Sequence, residues 1–253
     1  MTFSSLSPLA QRLVGFATLI PIIALVWFDA QIASLVVWLA FILMGFEFSK
    51  LVDLTKPLIF LVIILFAFVG MPFWFMAIHP HITLAVIVAT MILLMWQKSF
   101  PIAAFVGLTM LCGVSAQVII DSQNGQIMLL AICAVVAACD IAAYFAGRRF
   151  GGPKLAPSIS PNKTMSGAIA GLVAAGILCF LFADMFGLTP VVAFGFGCII
   201  GCLAQIGDLL ESRLKRHMGV KDSGRLIPGH GGLLDRFDGY LLTLPTIALV
   251  FFT

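Results

Sequence analysis

QIGDLLESRLKRHMGVKDSGRLIPGHGGLLDRFD, residues 205–238, follows one long apolar run and leads directly into another. It concentrates charge in a chain that has little: Asp208, Glu211, Asp222, Asp235 and Asp238 are five of the 11 carboxylates. Arg213, Lys215, Arg216, Lys221, Arg225 and Arg236 are six of the 14 lysines and arginines. Where helix enters and leaves the stretch, Asp208 and Glu211 share a face, as do Asp235 and Asp238, because residues three apart on a helix are neighbours. Between the pairs lies PGHGG, 228–232, whose three glycines let backbone N–H groups come close to a ligand. Carboxylates grouped beside cations and a glycine turn point to metal-assisted phosphate chemistry. The apolar flanks place that chemistry at the surface of a membrane.

Composition agrees. Hydrophobic residues make up 62% of the 253 and charged residues 10%, with a mean hydropathy of +1.15. A soluble domain carries about 25% charged residues. The chain therefore reads as one integral membrane domain over 1–253, with no room for a separate soluble domain. A net charge of +3 without a basic–aromatic array gives no footing for nucleic acid. All six cysteines lie in apolar runs and read as small buried hydrophobes, not as zinc ligands or disulfides.

Outward from the quoted stretch, apolar runs fall at 13–28, 30–48, 57–78, 81–97, 102–120, 126–146, 168–187, 189–210 and 234–252, against a span length of about 20 residues. The expected fold is an all-α polytopic membrane bundle of about nine transmembrane helices. The first run is retained as a span, since no small-residue cleavage site closes it. With the N-terminus cytoplasmic, every one of the 14 lysines and arginines falls in an inner connection, and the C-terminus is outside. Outer connections then hold Asp29, His79, His81, Asp121 and Asp184.

Two long inner loops follow from this topology, 148–167 and 211–233, each bordered by acids set in apolar helices. Asp140 lies roughly 10 Å up its helix from the inner end, a depth at which an ionised carboxylate is costly and usually functional. Its bland reading is a structural pair with a neighbouring helix. Glu47 has Lys50 three residues on as an ordinary surface partner and reads as structural. GAIAGLVAAG, 167–176, contains a GxxxG at Gly167 and Gly171, a sign of close helix packing with dimerisation open. Residues up to about 125 read as scaffold or lipid groove, and 126–253 as the catalytic helices and loops.

Three polar blocks thus meet on the inner face: DIAAYFAGRRFGG from Asp140, SPNKTMSG from Ser160, and the quoted stretch. Together they resemble the phosphatidate cytidylyltransferases. The elements of that family's signature stand here as Ser212, Lys215-Arg216, Lys221-Asp222, His230-Gly231-Gly232 and Asp235-Arg236-Phe237-Asp238, at matching spacing. The Asp140/Tyr144/Gly147-Arg148 block and SPNKT also look like the family, so the resemblance covers about 140–240. One departure is Met165-Ser166, where the family commonly carries an aromatic followed by Glu or Gln.

The resemblance implies synthesis of CDP-diacylglycerol and pyrophosphate from CTP and phosphatidic acid, with membrane lipids around the enzyme and a homodimer as its assembly. It implies Mg2+ held by Asp208, Asp235 and Asp238, and K+ as a second ion. Lys163, Lys215, Arg216, Lys221 and Arg236 would clamp phosphates beside Arg148, and Ser160, Asn162 and Thr164 would offer neutral oxygens. Asp140 either completes the acidic shell or orients cytidine. His230 either fixes the turn or moves a proton, and a base is not required because the lipid phosphate is already ionised. Lys215 and Arg216 also suit the ordinary cationic collar of a span. Two rival readings stand beside this one. A transporter would spread its polar groups along the membrane midplane. Another CTP-using membrane enzyme, a polyprenol kinase or an ether-lipid cytidylyltransferase, is less favoured by the complete signature, although these residues do not read out the lipid tail.

Overall fold

A computed structural model describes residues 23–69, 71, 80–224 and 232–252. Its long elements are helices: α1 (Ala30–Leu51), α2 (Lys56–Val69), α3 (Pro80–Gln97), α4 (Phe100–Ile120), α5 (Gly125–Phe150), α6 (Met165–Leu181) and α7 (Pro190–His217). A short α8 (Leu234–Phe237) and a 3-10 turn (Asp238–Tyr240) precede α9 (Thr243–Phe252). The apolar run at 13–28 lies mostly outside the described residues.

Local chemistry sets several of the boundaries. Asp29 starts α1 by accepting from the Gln31 and Ile32 amides at 2.6 and 3.2 Å, which satisfies donors a first turn leaves open. Prolines open α4 and α7, where the missing N–H costs nothing. Gly151, at φ +63°, ends α5 in a conformation that other residues resist.

Four helices, α1, α4, α5 and α7, are long and apolar enough to cross a membrane, and apolar stretches of α2, α3 and α6 are shorter. Large apolar side chains face outward over much of the surface, among them Phe60, Ile64, Phe145, Phe150 and Val191. A soluble protein would not leave so much apolar area in water, and such a surface suits a lipid environment. The interior is equally apolar: Phe41, Phe48 and Phe66 stack near the buried Met44 and Met110. One polar pair crosses this core, Ser34 Oγ donating to Gln117 Oε1 at 2.6 Å. Lys98 Nζ donates to the Asp53 carbonyl at 3.2 Å, so the α1–α2 and α3–α4 connections lie at the same end.

Two sequence expectations are corrected. The loop 148–167 is not irregular throughout: Lys154–Ala156 (β1) and Ser160–Thr164 (β2) pair antiparallel, with Lys154 opposite Thr164 and Ala156 opposite Ser160. The run 234–252 is not one helix, but breaks around Asp238-Gly239 into α8, the 3-10 turn and α9. Here α7 passes so close that a Cβ on Gly207 would strike the Asp238 carbonyl.

The small-residue face of α6 has a definite use. A Cβ at Gly167 would meet the Ala143 carbonyl at 2.5 Å, and one at Gly171 would meet the Cys139 carbonyl and thiol at 2.9 Å. Both glycines are buried against α5. This GxxxG is spent within the chain and is not a free face for a second copy.

Candidate active site

The close α5–α6 crossing sets the width of a cleft of about 570 Å³. Of the predicted residues, Asp140 and Arg148 reach it from α5, Asn162, Lys163 and Thr164 from β2, and Asp208 from α7. Lys163 Nζ forms an ion pair with Asp208 Oδ2, joining the hairpin to α7. Ser212 Oγ reaches the other oxygen of Asp208 at 3.3 Å, one turn on. Thr164 caps α6 by accepting from the Gly167 amide at 3.2 Å, so its hydroxyl is engaged in holding the hairpin to the helix. Ser166, half of the Met165-Ser166 departure, donates to the Gly151 carbonyl and ties the start of α6 to the end of α5.

A second cluster lies beside the cleft. Lys215 Nζ sits 2.6 Å from Asp235 Oδ1 and 3.4 Å from Glu211 Oε1. Asp235 also accepts from the Ser223 amide at 3.1 Å and the Gly232 amide at 3.0 Å. Lys215 and these amides together stabilise the ionised Asp235 carboxylate. Glu211 is buried and neither of its oxygens accepts a hydrogen bond. Lys215 therefore faces acids rather than the cleft, and Arg216 donates to the Val220 carbonyl at 3.0 Å, closing the end of α7.

Asp238 stands between the two clusters. Its Oδ1 accepts from the Gly239 amide at 2.6 Å. Its carboxylate interacts electrostatically with Asp208, Asp140 and Lys215. Arg236 is exposed on α8 and acts on Asp140 through charge. Ser160 opens β2, and Lys221 is exposed just beyond α7. Gly232 is buried, while His230 and Gly231 lie outside the described residues.

The sequence reading passed over some of the lining. Lys154, on β1, adds a cation, and Gln205 lines the cleft while donating to the Ala168 carbonyl at 3.0 Å. The Tyr144 hydroxyl accepts from Arg148 at 3.1 Å and orients it. Lys154 stands two residues after Gly151-Gly152, across Pro153, a placement that could have marked it. The expected Glu47 partner is corrected: Lys50 lies over the Phe46 ring at 4.1 Å, and the Glu47 carboxylate instead accepts from the Leu234 amide at 2.8 Å.

The sequence pattern of the cytidylyltransferase family matches residues 10–253, nearly the whole chain. The chain belongs to the cytidylyltransferase family. Among its relatives, the phosphatidate cytidylyltransferase of Brucella suis biovar 1 (strain 1330) is 51% identical over 124 residues, 47% of this chain and 44% of that protein. The protein of the same name from Staphylococcus aureus (strain COL) is 46% identical over 113 residues, 44% of each chain. The matched stretch thus spans less than half the length of these relatives.

For a cytidylyltransferase-family site the question is whether these acids fit a divalent ion. Among the described residues, no three acidic, histidine or cysteine side chains are drawn together as a ready-made cage. Mg2+ rarely needs one, since one or two carboxylates with substrate phosphates and water complete its shell. Asp208 and Asp238 fit that mode, as mutually repelling carboxylates on adjoining elements with Asp140 adding to the negative charge. The Asp235 carboxylate is committed to Lys215 and two loop amides, an arrangement suited to holding the loop.

Proposed function

We propose that this chain is a phosphatidate cytidylyltransferase, making CDP-diacylglycerol and pyrophosphate from CTP and phosphatidic acid. The observation that carries the reading is the cleft itself, where Asp140, Arg148, Asn162, Lys163 and Asp208 meet on an otherwise apolar bundle. A phosphate oxygen of the lipid attacks the α-phosphorus of CTP. The new P–O bond forms as the α–β bridging P–O bond breaks, and the bridging oxygen leaves on pyrophosphate. Asp208 and Asp238 would hold Mg2+, which would supply positive charge between the two anions.

The chain's own residues do the rest. Lys163, beside Asp208, and Arg148, oriented by Tyr144, bind phosphates of CTP. Lys154 and Arg236 add positive charge where pyrophosphate departs. Asp140 is placed to accept hydrogen bonds from the nucleotide. Lys215 pairs with Asp235, which holds the edge of the signature loop through the Ser223 and Gly232 amides.

In this reading nine spans run with the N-terminus in the cytoplasm and the site facing the cytoplasm from the inner membrane. The sorting of all 14 lysines and arginines supports it. A second ion, K+, and a homodimer follow from the family resemblance. The test is incubation of purified protein with labelled CTP, phosphatidic acid and Mg2+. A lipid-soluble cytidine product supports the assignment, and none from folded protein overturns it.

A further inference from the structure

Glu47 belongs to α1, in the half of the chain that otherwise shows little polar chemistry, yet it is only 2% exposed and meets the signature loop 187 residues away. Its Oε2 accepts the Leu234 amide at 2.8 Å. Leu234 is the first residue of α8, and Leu233, at its cap position, supplies no side-chain acceptor. Glu47 is thus the cap of α8, donated by another helix, and it satisfies a backbone donor that burial would leave costly.

The other oxygen, Oε1, lies under both edges of the loop. A Cβ on either Gly224 or Gly232 would run into it. On the opposite side Asp235 accepts the Ser223 and Gly232 amides. Asp235 therefore holds both edges of the loop by hydrogen bonds, while Glu47 packs against the same two edges and bonds only the Leu234 amide. The turn held in this way carries Asp235, Arg236 and Asp238.

Resting on the reading proposed above, we propose that Glu47 is a positioning residue for the reaction: it fixes the start of α8, and through it the Asp238 carboxylate, from the scaffold half of the chain. It touches no substrate. Two glycines of the loop, Gly224 and Gly232, are then required by Glu47 and not by a nucleotide.

The test has an arm that needs no turnover. Amide hydrogen exchange of the 232–238 peptide is followed in detergent for wild type, Glu47→Ala and Glu47→Gln, with Lys50→Ala as control. Glutamine keeps the volume and one acceptor oxygen. Expected is exchange faster by roughly tenfold or more in Glu47→Ala, with kcat lower by a similar factor and KM for CTP within about twofold. Glu47→Gln is expected within about threefold of wild type in both measurements, and Lys50→Ala unchanged. If Glu47→Ala cannot be purified, Glu47→Asp, one methylene too short to reach Leu234, takes its place. Wild-type protection and turnover in the truncated variant would overturn the proposal. So would equal loss of turnover in the Ala and Gln variants with the peptide still protected. Absence of cytidylyl transfer in wild type would overturn the function instead, leaving the exchange result to decide the role of Glu47 in the loop.

Discussion

Asp235 and Asp238 are one helical turn apart in the sequence, yet the structure assigns them opposite sensitivities to losing a charge. In Asp235→Asn the side chain keeps one acceptor but turns an amide toward donors that now meet a carboxylate: Lys215 at 2.6 Å and the Ser223 and Gly232 amides at 3.1 and 3.0 Å. Breaking a largely buried, hydrogen-bonded pair from one side costs about 2–4 kcal/mol here, below the fully buried figure because both side chains retain some exposure. At this chain length that is a fall of roughly 5–15 °C in Tm. Asp238→Asn relieves repulsion from Asp208 and Asp140 and keeps an oxygen for the Gly239 amide. Its Tm is expected to hold or rise. Its turnover is expected to fall at least roughly 100-fold, about 2.7 kcal/mol, since the lost charge acts on the transition state. Thermal melting in detergent and transfer of labelled cytidylate to lipid read the two effects separately. Near-normal turnover in Asp238→Asn, with metal still required, would remove that residue from the site. A stable Asp235→Asn beside an unstable Asp238→Asn would refute the division of roles.

Three further outcomes are expected. Lys163→Met should leave the fold intact and cut kcat/KM by about 100-fold or more, because in the proposed function it deletes a charged donor to phosphate; a loss under threefold would take Lys163 out of the phosphate contacts. Gly167→Val should destabilise by about 1–3 kcal/mol and widen the cleft, since its Cβ alone comes 2.5 Å from the Ala143 carbonyl; an unchanged Tm would show that the α5–α6 crossing is looser than described. Cysteines introduced at Ser122 and Ser158 should label from opposite sides of the membrane, and labelling from one side would break the nine-span topology.

The sequence revealed membrane-bound helices readily because hydropathy over 20 residues is a sum, insensitive to any one position. It revealed the cleft acids for a different reason: Asp140 and Asp208 are expensive where they stand, so their presence in apolar helices is informative by itself. What it hid depended on direction rather than composition. The hairpin was invisible because SPNKT is too polar and too short to show a strand period, and because its pairing is secured from outside, by Thr164 capping α6 and Ser166 bonding to Gly151. The break at Asp238 was hidden because Asp235 and Asp238 sit at a helical spacing, which ignores α7 pressing Gly207 against the Asp238 carbonyl.

Glu47 shows why spacing alone misleads. The i,i+3 relation to Lys50 offered a local partner, and a local partner is the cheaper explanation for any charge near a helix end. But Lys50 gains from the Phe46 ring while staying in reach of water, and a carboxylate on the inward face of α1 has no water to fall back on. It must find donors, and the nearest free ones belong to the first turn of α8, whose own sequence provides no cap. The need of one element is met by the excess of another, and that match cannot be read until both are folded. The same reasoning links the two halves of the chain. A scaffold that only surrounded the catalytic helices would tolerate any apolar residue at position 47. A scaffold that holds the signature loop by its ends would not, and substitutions in α1 should then register at Asp238.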